Sequence, residues 1–162
     1  MSSKSRLVIL EKKVIDKKLN RMACQILECH TKNLNIQFVG LNERGFQLAK
    51  LLTKKIAKLD SSKQVNLFQG HSETEFSIEQ MNKLNAKSPI ILVDDVLNTG
   101  RSIFHLLSIL TEIKPAQLEI CVLAVRHHKR FPIHANYVGL TIATTLQEHI
   151  YFDITKPELY LE

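Results

Sequence analysis

Two patterns of apolar residues alternate along this chain. Short apolar runs predict strands, and they lie at residues 36–41, 64–68, 90–93, 118–125 and 150–154. Apolar residues that recur every three or four positions predict amphipathic helices, and these lie at residues 11–29, 46–59 and 99–113. The strongest runs are nearly continuous, which is typical of strands buried on both faces. The pattern therefore favours an α/β fold, with a central, mainly parallel sheet of about five strands flanked by helices.

Composition is compatible with one ordinary domain over residues 1–162. Hydrophobic residues make up 44% of the chain and charged residues 23%, which is enough to bury a normal core. There is no run of about 18 apolar residues, and residues 1–6 lack the apolar centre of a secretory signal. Cys24, Cys29 and Cys121 show no metal-binding spacing. We therefore expect no membrane span, and a cytoplasmic protein with reduced thiols.

The chain is basic, with a formal net charge of +6. This charge favours phosphorylated ligands or nucleic acid as partners. The lysines are spread out, however, which is equally typical of a solvated surface. The densest basic cluster, residues 126–130, has the same two interpretations: contact with phosphate or RNA, or a solvated loop.

Residues 89–102, P-I-I-L-V-D-D-V-L-N-T-G-R-S, hold the most informative motif. Asp94 and Asp95 end an apolar strand, and residues 98–100 form a turn before a helix begins. Ligands of open α/β sheets bind beyond the carboxyl ends of the strands, and the free N–H groups of a helix start suit a phosphate. We therefore expect a phosphate over residues 98–102, with two carboxylates beside it. An ordinary strand-to-helix turn is the alternative, and paired acids after a strand also occur in receiver domains and magnesium phosphatases.

A second loop of the same kind follows the strand at 36–41. It reads V-G-L-N-E-R-G-F over residues 39–46 and opens the next predicted helix. Alone, a glycine and an Arg-Gly pair at this spacing are a weak signal. Two such loops, each between a strand and a helix, predict two anion-binding loops at one edge of the sheet.

Together the two motifs resemble the phosphoribosyl pyrophosphate (PRPP) site of type I phosphoribosyltransferases. The resemblance implies that Asp94 and Asp95 bind the ribose hydroxyls and stabilise positive charge during catalysis. It assigns the 5-phosphate to Asn98, Thr99, Gly100, Arg101 and Ser102, and the pyrophosphate to Asn42, Glu43, Arg44 and Gly45. It also implies a cis peptide between Glu43 and Arg44, and Mg²⁺ that is bound through PRPP with no direct protein ligand.

The likeness runs from about Arg6 to Ile154 and is strongest to members that regulate pyrimidine operons and act as uracil phosphoribosyltransferases. It implies a small hood formed by residues 131–143 and part of 69–88. Within it, Tyr137 would stack on the base and the Val138 backbone would read the base edge. An ordinary packed aromatic is the alternative for Tyr137. A homodimer is also implied.

The chain departs from these relatives in the flexible loop, where Gln69, Gly70 and His71 replace an arginine and two acids. Asn98 and Val125 also differ from the residues at those positions. We therefore expect transfer of phosphoribose to a nucleobase, uracil first and a purine second. The alternatives are a weakly catalytic or non-catalytic nucleotide-sensing regulator that binds RNA, and a nucleotide-sensing interaction protein without RNA.

Overall fold

The computed structural model describes residues 6–71, 78–127, 129–145 and 148–162. The described strands are β1 (Leu7–Leu10), β2 (Asn35–Leu41), β3 (Gln64–Gly70), β4 (Ile90–Leu97), β5 (Leu118–Arg126), β6 (Tyr137–Ile142), β7 (Ile150–Asp153) and β8 (Glu158–Leu161). The described helices are α1 (Lys12–Cys29), α2 (Asn42–Leu59), α3 (Ile78–Lys83) and α4 (Arg101–Thr111). None of these helices is long and apolar enough to cross a membrane.

The central sheet has five parallel strands in the order β3-β2-β4-β5-β6. From β2 the chain moves outward to β3, then returns past β2 to β4 and continues in the opposite direction. The order therefore reverses between β2 and β4. In open α/β sheets this reversal leaves a crevice at the carboxyl ends of the two strands, where ligands bind.

Helices cover both faces of this sheet, as the hydrophobic pattern predicts. One face packs against α1 and α2 through residues such as Ile15, Met22 and Leu48, all of which are fully or almost fully buried. The other face packs against α4 through Ile103, Leu106 and Leu110. The strands between the two layers are buried on both sides, which explains why their sequences read as apolar runs. The predicted α/β class and parallel sheet are confirmed.

A second, antiparallel sheet of three strands has the order β1-β8-β7. Leu10, Ile150, Phe152 and Leu159 from this sheet belong to the same hydrophobic cluster as α1 and α2. The small sheet is therefore fastened to the α1–α2 side of the molecule by apolar packing. Its strands β1 and β8 are not predicted from the sequence.

The hood prediction is wrong for residues 137–142. They form β6, which pairs in parallel with β5 at the edge of the central sheet. Pro132 and Gly139 suggest irregular structure, but Pro132 lies before the strand. Gly139 is needed inside it, because a Cβ there would lie 2.4 Å from the Leu123 carbonyl oxygen. Part of residues 69–88 is also predicted to belong to the hood, and residues 72–77 of that range lie outside the described residues.

Basic side chains of α1 bond to the backbone of the edge strand β6. The ammonium group of Lys18 donates to the Gly139 carbonyl at 3.1 Å. The guanidinium of Arg21 donates to the carbonyls of Val138 and Gly139 at 2.9 and 3.0 Å. Part of the predicted polar face of α1 is therefore bonded to the sheet edge.

Candidate active site

The two predicted anion-binding loops lie side by side, because β2 and β4 are neighbours at the point where the strand order reverses. A cavity of about 340 Å³ opens between the start of α2 and the end of β4. It is lined by Leu41, Asn42, Glu43, Arg44, Asp94, Asp95 and Ser102. Residues separated by about fifty positions in the sequence thus face one space.

A smaller cavity of about 90 Å³ lies over the amino end of α4. It is lined by Asp94, Val96, Leu97, Asn98, Thr99, Gly100, Arg101, Ser102 and Ile103. Gly100 precedes the helix with a φ of 85°, a left-handed conformation that favours glycine. The turn brings the first N–H groups of α4 to the cavity, where they and the helix dipole favour an anion.

Asp94 and Ser102 line both cavities, so the two spaces adjoin. All five residues predicted for the 5-phosphate line the smaller cavity. Asn42, Glu43 and Arg44 line the larger one together with both acids. A single elongated ligand with an anionic group at each end can therefore reach from one loop to the other along the acids.

Asp94 and Asp95 lie inside the carboxyl-terminal half of β4, which continues to Leu97. Asp95 is 8% exposed, and its N–H donates to Asp94 Oδ1 at 2.9 Å. Burial raises the pKa of Asp94 well above its ordinary value, and the neighbouring Asp95 charge raises it further. The Arg44 guanidinium, whose Nη1 is 4.0 Å from Asp95 Oδ2, acts in the opposite direction on the Asp94 pKa. The acids therefore form an electrostatically unfavourable pair that a hydroxyl-rich, cationic or metal-bound ligand would relieve.

The start of α2 differs from the predicted loop. The helix begins at Asn42, so residues 42–45 form its first turn, whereas the sequence predicts a loop there and a helix from residue 46. The predicted cis peptide between Glu43 and Arg44 is wrong, since that bond is trans. Asn42 instead adopts a φ of 53°. The left-handed Asn42 turns the chain from β2 into the helix, which points the amino end of α2 at the larger cavity.

Gly45 lets α2 approach β4 closely. A Cβ at this position would lie 2.4 Å from the Val93 carbonyl oxygen, far closer than such atoms can approach. Because Val93 directly precedes Asp94, this contact sets the position of the α2 loop relative to the acids. Gly45 therefore acts through backbone packing and not as a lining residue.

The smaller cavity has a support that the sequence does not indicate. The N–H groups of Arg130 and Phe131 both donate to the Thr99 carbonyl at 3.0 Å. A Cβ on Gly100 would meet the Phe131 and Ile133 side chains at 3.2–3.4 Å. The segment after β5 thus holds the turn from behind, through backbone groups that leave no signal in the sequence.

Comparison with known proteins decides the family. The model of the phosphoribosyl transferase domain matches residues 7–154. The chain belongs to this family. It is 32% identical over 159 residues to the bifunctional protein PyrR of Haemophilus ducreyi, covering 88% of this chain and 87% of the relative. It is 28% identical to PyrR of Listeria monocytogenes, covering 93% and 90%.

Solved structures agree on the fold. A hypoxanthine-guanine phosphoribosyltransferase from Bacillus anthracis superposes with a TM-score of 0.77, covering 94% of this chain and 95% of that one at 17% identity. A hypoxanthine-guanine-xanthine phosphoribosyltransferase superposes with a TM-score of 0.64. The chain is therefore a type I phosphoribosyltransferase that is similar to PyrR, as its motifs predict.

The structure does not bring Tyr137 to the phosphoribosyltransferase cavities. Tyr137 is the first residue of β6, lines neither cavity and is 3% exposed. Its hydroxyl donates to Glu119 Oε2 at 2.8 Å, and His30 Nε2 lies 2.8 Å from the same oxygen. The predicted stacking of Tyr137 on a base is wrong, because its side chain is buried in the core and its hydroxyl is bonded to Glu119. The alternative, a packed aromatic, describes its position.

His30, Glu119 and Tyr137 form a buried polar cluster between α1 and the sheet. Burial by itself raises the pKa of the Glu119 carboxyl, but hydrogen bonds from His30 and then Tyr137 hold that pKa below its usual value. Burial also raises the pKa of Tyr137 far above its usual range, so the phenol stays a donor. The carboxylate satisfies two buried donors at once, which is how charged groups are tolerated in a core.

We predict that Tyr137→Phe lowers stability and leaves nucleotide binding unchanged. Loss of one buried hydrogen bond to a carboxylate costs about 1.5–3 kcal/mol, which for a chain of this size lowers the melting temperature by roughly 2–4 °C per kcal/mol. Calorimetry and titration with a nucleoside monophosphate check both parts. An unchanged melting temperature with a tenfold loss of nucleotide affinity would contradict this prediction and show that Tyr137 takes part in binding.

Val138 is also placed away from the two adjoining cavities. Its carbonyl accepts the hydrogen bond from Arg21, so this part of its backbone does not read a base. Its side chain instead faces a separate cavity of about 240 Å³, which is also lined by Val125, Arg126, Lys129 and His134. The base-contacting residues named from the sequence are therefore not brought together with the acids.

Proposed function

We propose that this phosphoribosyltransferase joins the anomeric carbon of PRPP to a ring nitrogen of a nucleobase, uracil first, and releases pyrophosphate. The observation that carries the proposal is the pair of adjoining cavities, each at a helix start, with Asp94 and Ser102 in the wall of both. PRPP has a phosphate at one end, a pyrophosphate at the other and two ribose hydroxyls between them. The phosphate, ribose and pyrophosphate of PRPP thus follow one another in the same order as the smaller cavity, the acids and the larger cavity.

The 5-phosphate is assigned to the smaller cavity. Thr99 and Ser102 offer hydroxyl donors, Arg101 is exposed at its rim, and the α4 amides point into it. Gly100 allows the close backbone approach that an anion requires. The phosphate would thus be held mainly by the main chain and the helix dipole, which fixes the position of the ribose next to it.

The ribose is assigned to Asp94 and Asp95. Carboxylates accept hydrogen bonds from two hydroxyls and stabilise positive charge, and charge of this sign develops on the sugar as the bond to pyrophosphate breaks. Because Asp94 lies in the wall of both cavities and Asp95 in the wall of the larger one, they can hold the anomeric carbon between leaving group and base. Placement of charge, without a protein nucleophile, is the contribution proposed for this chain.

The pyrophosphate is assigned to the larger cavity, with Arg44 and the first-turn amides of α2 as donors. The donor set in this cavity, carboxylate and amide oxygens, is of the hard type that Mg²⁺ prefers. Among the described residues, no three acidic, histidine or cysteine side chains converge as a metal site. Mg²⁺ would arrive bound to PRPP, beside Arg44 and the acids, and would supply neutralisation of the charge on the leaving group.

We propose a pyrimidine acceptor from the resemblance to PyrR, whereas the solved structures that share the fold are named for purine bases. A panel of bases separates the two. We expect pyrophosphate release with PRPP and uracil in the presence of Mg²⁺, and slower release or none with hypoxanthine or guanine. Fastest release with a purine would show that the acceptor is a purine. No release with any base would contradict the proposed catalytic activity.

A second candidate, a nucleotide-gated RNA-binding regulator, is favoured by the end of β3. Gln69 there donates to Glu43 at 3.3 Å, and its carbonyl accepts from Gln80 of α3 at 3.2 Å. The residue that stands in place of the relatives' flexible-loop arginine is thus a neutral amide tied into the protein. Nucleotide binding without turnover, together with RNA binding that weakens steeply with salt, would support this candidate.

A further inference from the structure

Glu43 places a fixed negative charge in the wall of the larger cavity. It lies in the first turn of α2 and its carboxylate is held by two neutral amides. Gln47 Nε2 donates to Oε1 at 2.6 Å, and Gln69 Nε2 donates to Oε2 at 3.3 Å. The two amides fix the direction of the carboxylate without neutralising its charge.

The side chains that line this cavity are unbalanced in charge. They include three carboxyl groups, from Glu43, Asp94 and Asp95, and one guanidinium, from Arg44. The Arg44 group is about half exposed and already faces Asp95 at 4.0 Å. Lys50 and His71 act on Glu43 electrostatically without lining the cavity. A free pyrophosphate would therefore meet more negative than positive charge in the place assigned to it.

Glu43 also offsets the one feature of α2 that attracts anions. The amino end of a helix carries about half a positive charge, and an acidic side chain in the first turn interacts with it favourably. In this chain the Glu43 carboxylate makes that interaction. The amides of α2 thus attract a ligand phosphate less than those of α4, where the first turn has no acidic residue.

We propose that Glu43 makes the larger cavity select the metal-bound form of the pyrophosphate group over the free anion. A divalent cation removes two units of the ligand's negative charge and so reduces the repulsion between the ligand and Glu43. Glu43 is then a specificity-determining residue for the charge state of the ligand. The inference rests on the proposed function, because it takes the larger cavity as the pyrophosphate site.

Titration calorimetry with inorganic pyrophosphate tests the inference without catalysis. Wild type, Glu43→Gln and Glu28→Gln are compared at constant ionic strength, once with Mg²⁺ and once with a chelator. Glutamine keeps the size of the side chain and an oxygen that can accept from Gln47 or Gln69. Glu28 is exposed on α1, so Glu28→Gln removes one negative charge outside this cavity.

We expect the wild type to bind pyrophosphate at least about tenfold more tightly with Mg²⁺ than without it. Glu43→Gln should reduce this ratio about tenfold, mainly by gaining affinity for the free anion, whereas Glu28→Gln should keep the wild-type ratio. A carboxylate that only stabilises the start of α2 would change the melting temperature and leave the ratio unaltered.

An unaltered ratio in Glu43→Gln overturns the role of Glu43 and leaves the proposed function intact. Failure of the wild-type protein to bind pyrophosphate in either condition overturns the pyrophosphate site and the inference together. An equal change in Glu28→Gln would trace the effect to overall charge and also overturns the inference.

Discussion

The double variant Asp94→Asn, Asp95→Asn is expected to lose PRPP binding and to remain folded. Hydrogen bonds to a charged group contribute about 1.5–3 kcal/mol each, so loss of two carboxylates should weaken PRPP binding by roughly 10²–10⁴-fold. The fold should survive, because asparagine keeps the size of each side chain and removes the repulsion between two neighbouring carboxylates of β4. Calorimetry and circular dichroism measure the two effects on one sample.

Stability should rise in the single variant Asp94→Asn. The pKa of Asp94 is raised in the folded protein above the ordinary value of 3.8, so the unfolded chain ionises first as the pH increases. The wild type therefore loses stability from about pH 4 up to the raised pKa and stays at that lower level above it. Asparagine removes this loss, so the stability difference in favour of the variant should grow over the same interval and then remain constant.

Asp60 offers a control of opposite sign. Hydrogen bonds from the Ser62 side chain and backbone lower the pKa of this exposed carboxyl. Asp60→Asn should therefore be slightly less stable than the wild type at neutral pH and approach it as the pH falls. If Asp94→Asn is destabilised at neutral pH and PRPP binding survives, the acids are structural and the site assignment fails.

Gly45→Ala should damage both the fold and the site. Its added methyl group would lie 2.4 Å from the Val93 carbonyl oxygen, and neither backbone can yield without moving α2 away from β4. Overpacking of this kind costs roughly 1–3 kcal/mol, and a displacement of about 1 Å at the cavity can cost 10²-fold in activity. We expect a lower melting temperature together with an approximately 10²-fold loss of PRPP affinity.

Gly139→Ala is the matched control, since its Cβ would lie 2.4 Å from the Leu123 carbonyl oxygen, between β5 and β6. It should lose a similar amount of stability, while PRPP affinity stays within a few-fold of the wild type. Equal loss of affinity in the two alanine variants would show that general destabilisation weakens binding. In that case the α2–β4 contact has no special role.

Much of the fold is readable from the sequence because the buried strands are nearly continuous apolar runs. Strand ends are less readable where polar residues stay in the sheet. Asp94 and Asp95 suggest that the strand ends at residue 93, yet it continues to Leu97 because the backbone pairs with β5 whatever the side chains are. Likewise, Asn42 and its polar neighbours read as a loop, although the left-handed Asn42 lets the helix begin at once.

The candidate site is likewise predictable from the sequence only in part. Its two loops are local motifs, so the sequence predicts which residues line the cavities. Tyr137 is misplaced because its environment is not local: His30 is 107 positions away in the chain, and Glu119 lies on another strand. The sequence also gives no sign that backbone N–H groups support the Thr99 carbonyl, because any residue except proline supplies such a donor.

The basic edge of β6 has a consequence for self-association. An outer strand normally presents unpaired carbonyls that can template pairing with another chain. Here the carbonyls of Val138 and Gly139 accept hydrogen bonds from Lys18 and Arg21, which holds two charged side chains against the edge strand. Charged side chains held against an edge strand oppose edge-to-edge pairing, so Lys18 and Arg21 would disfavour growth of the central sheet on this side.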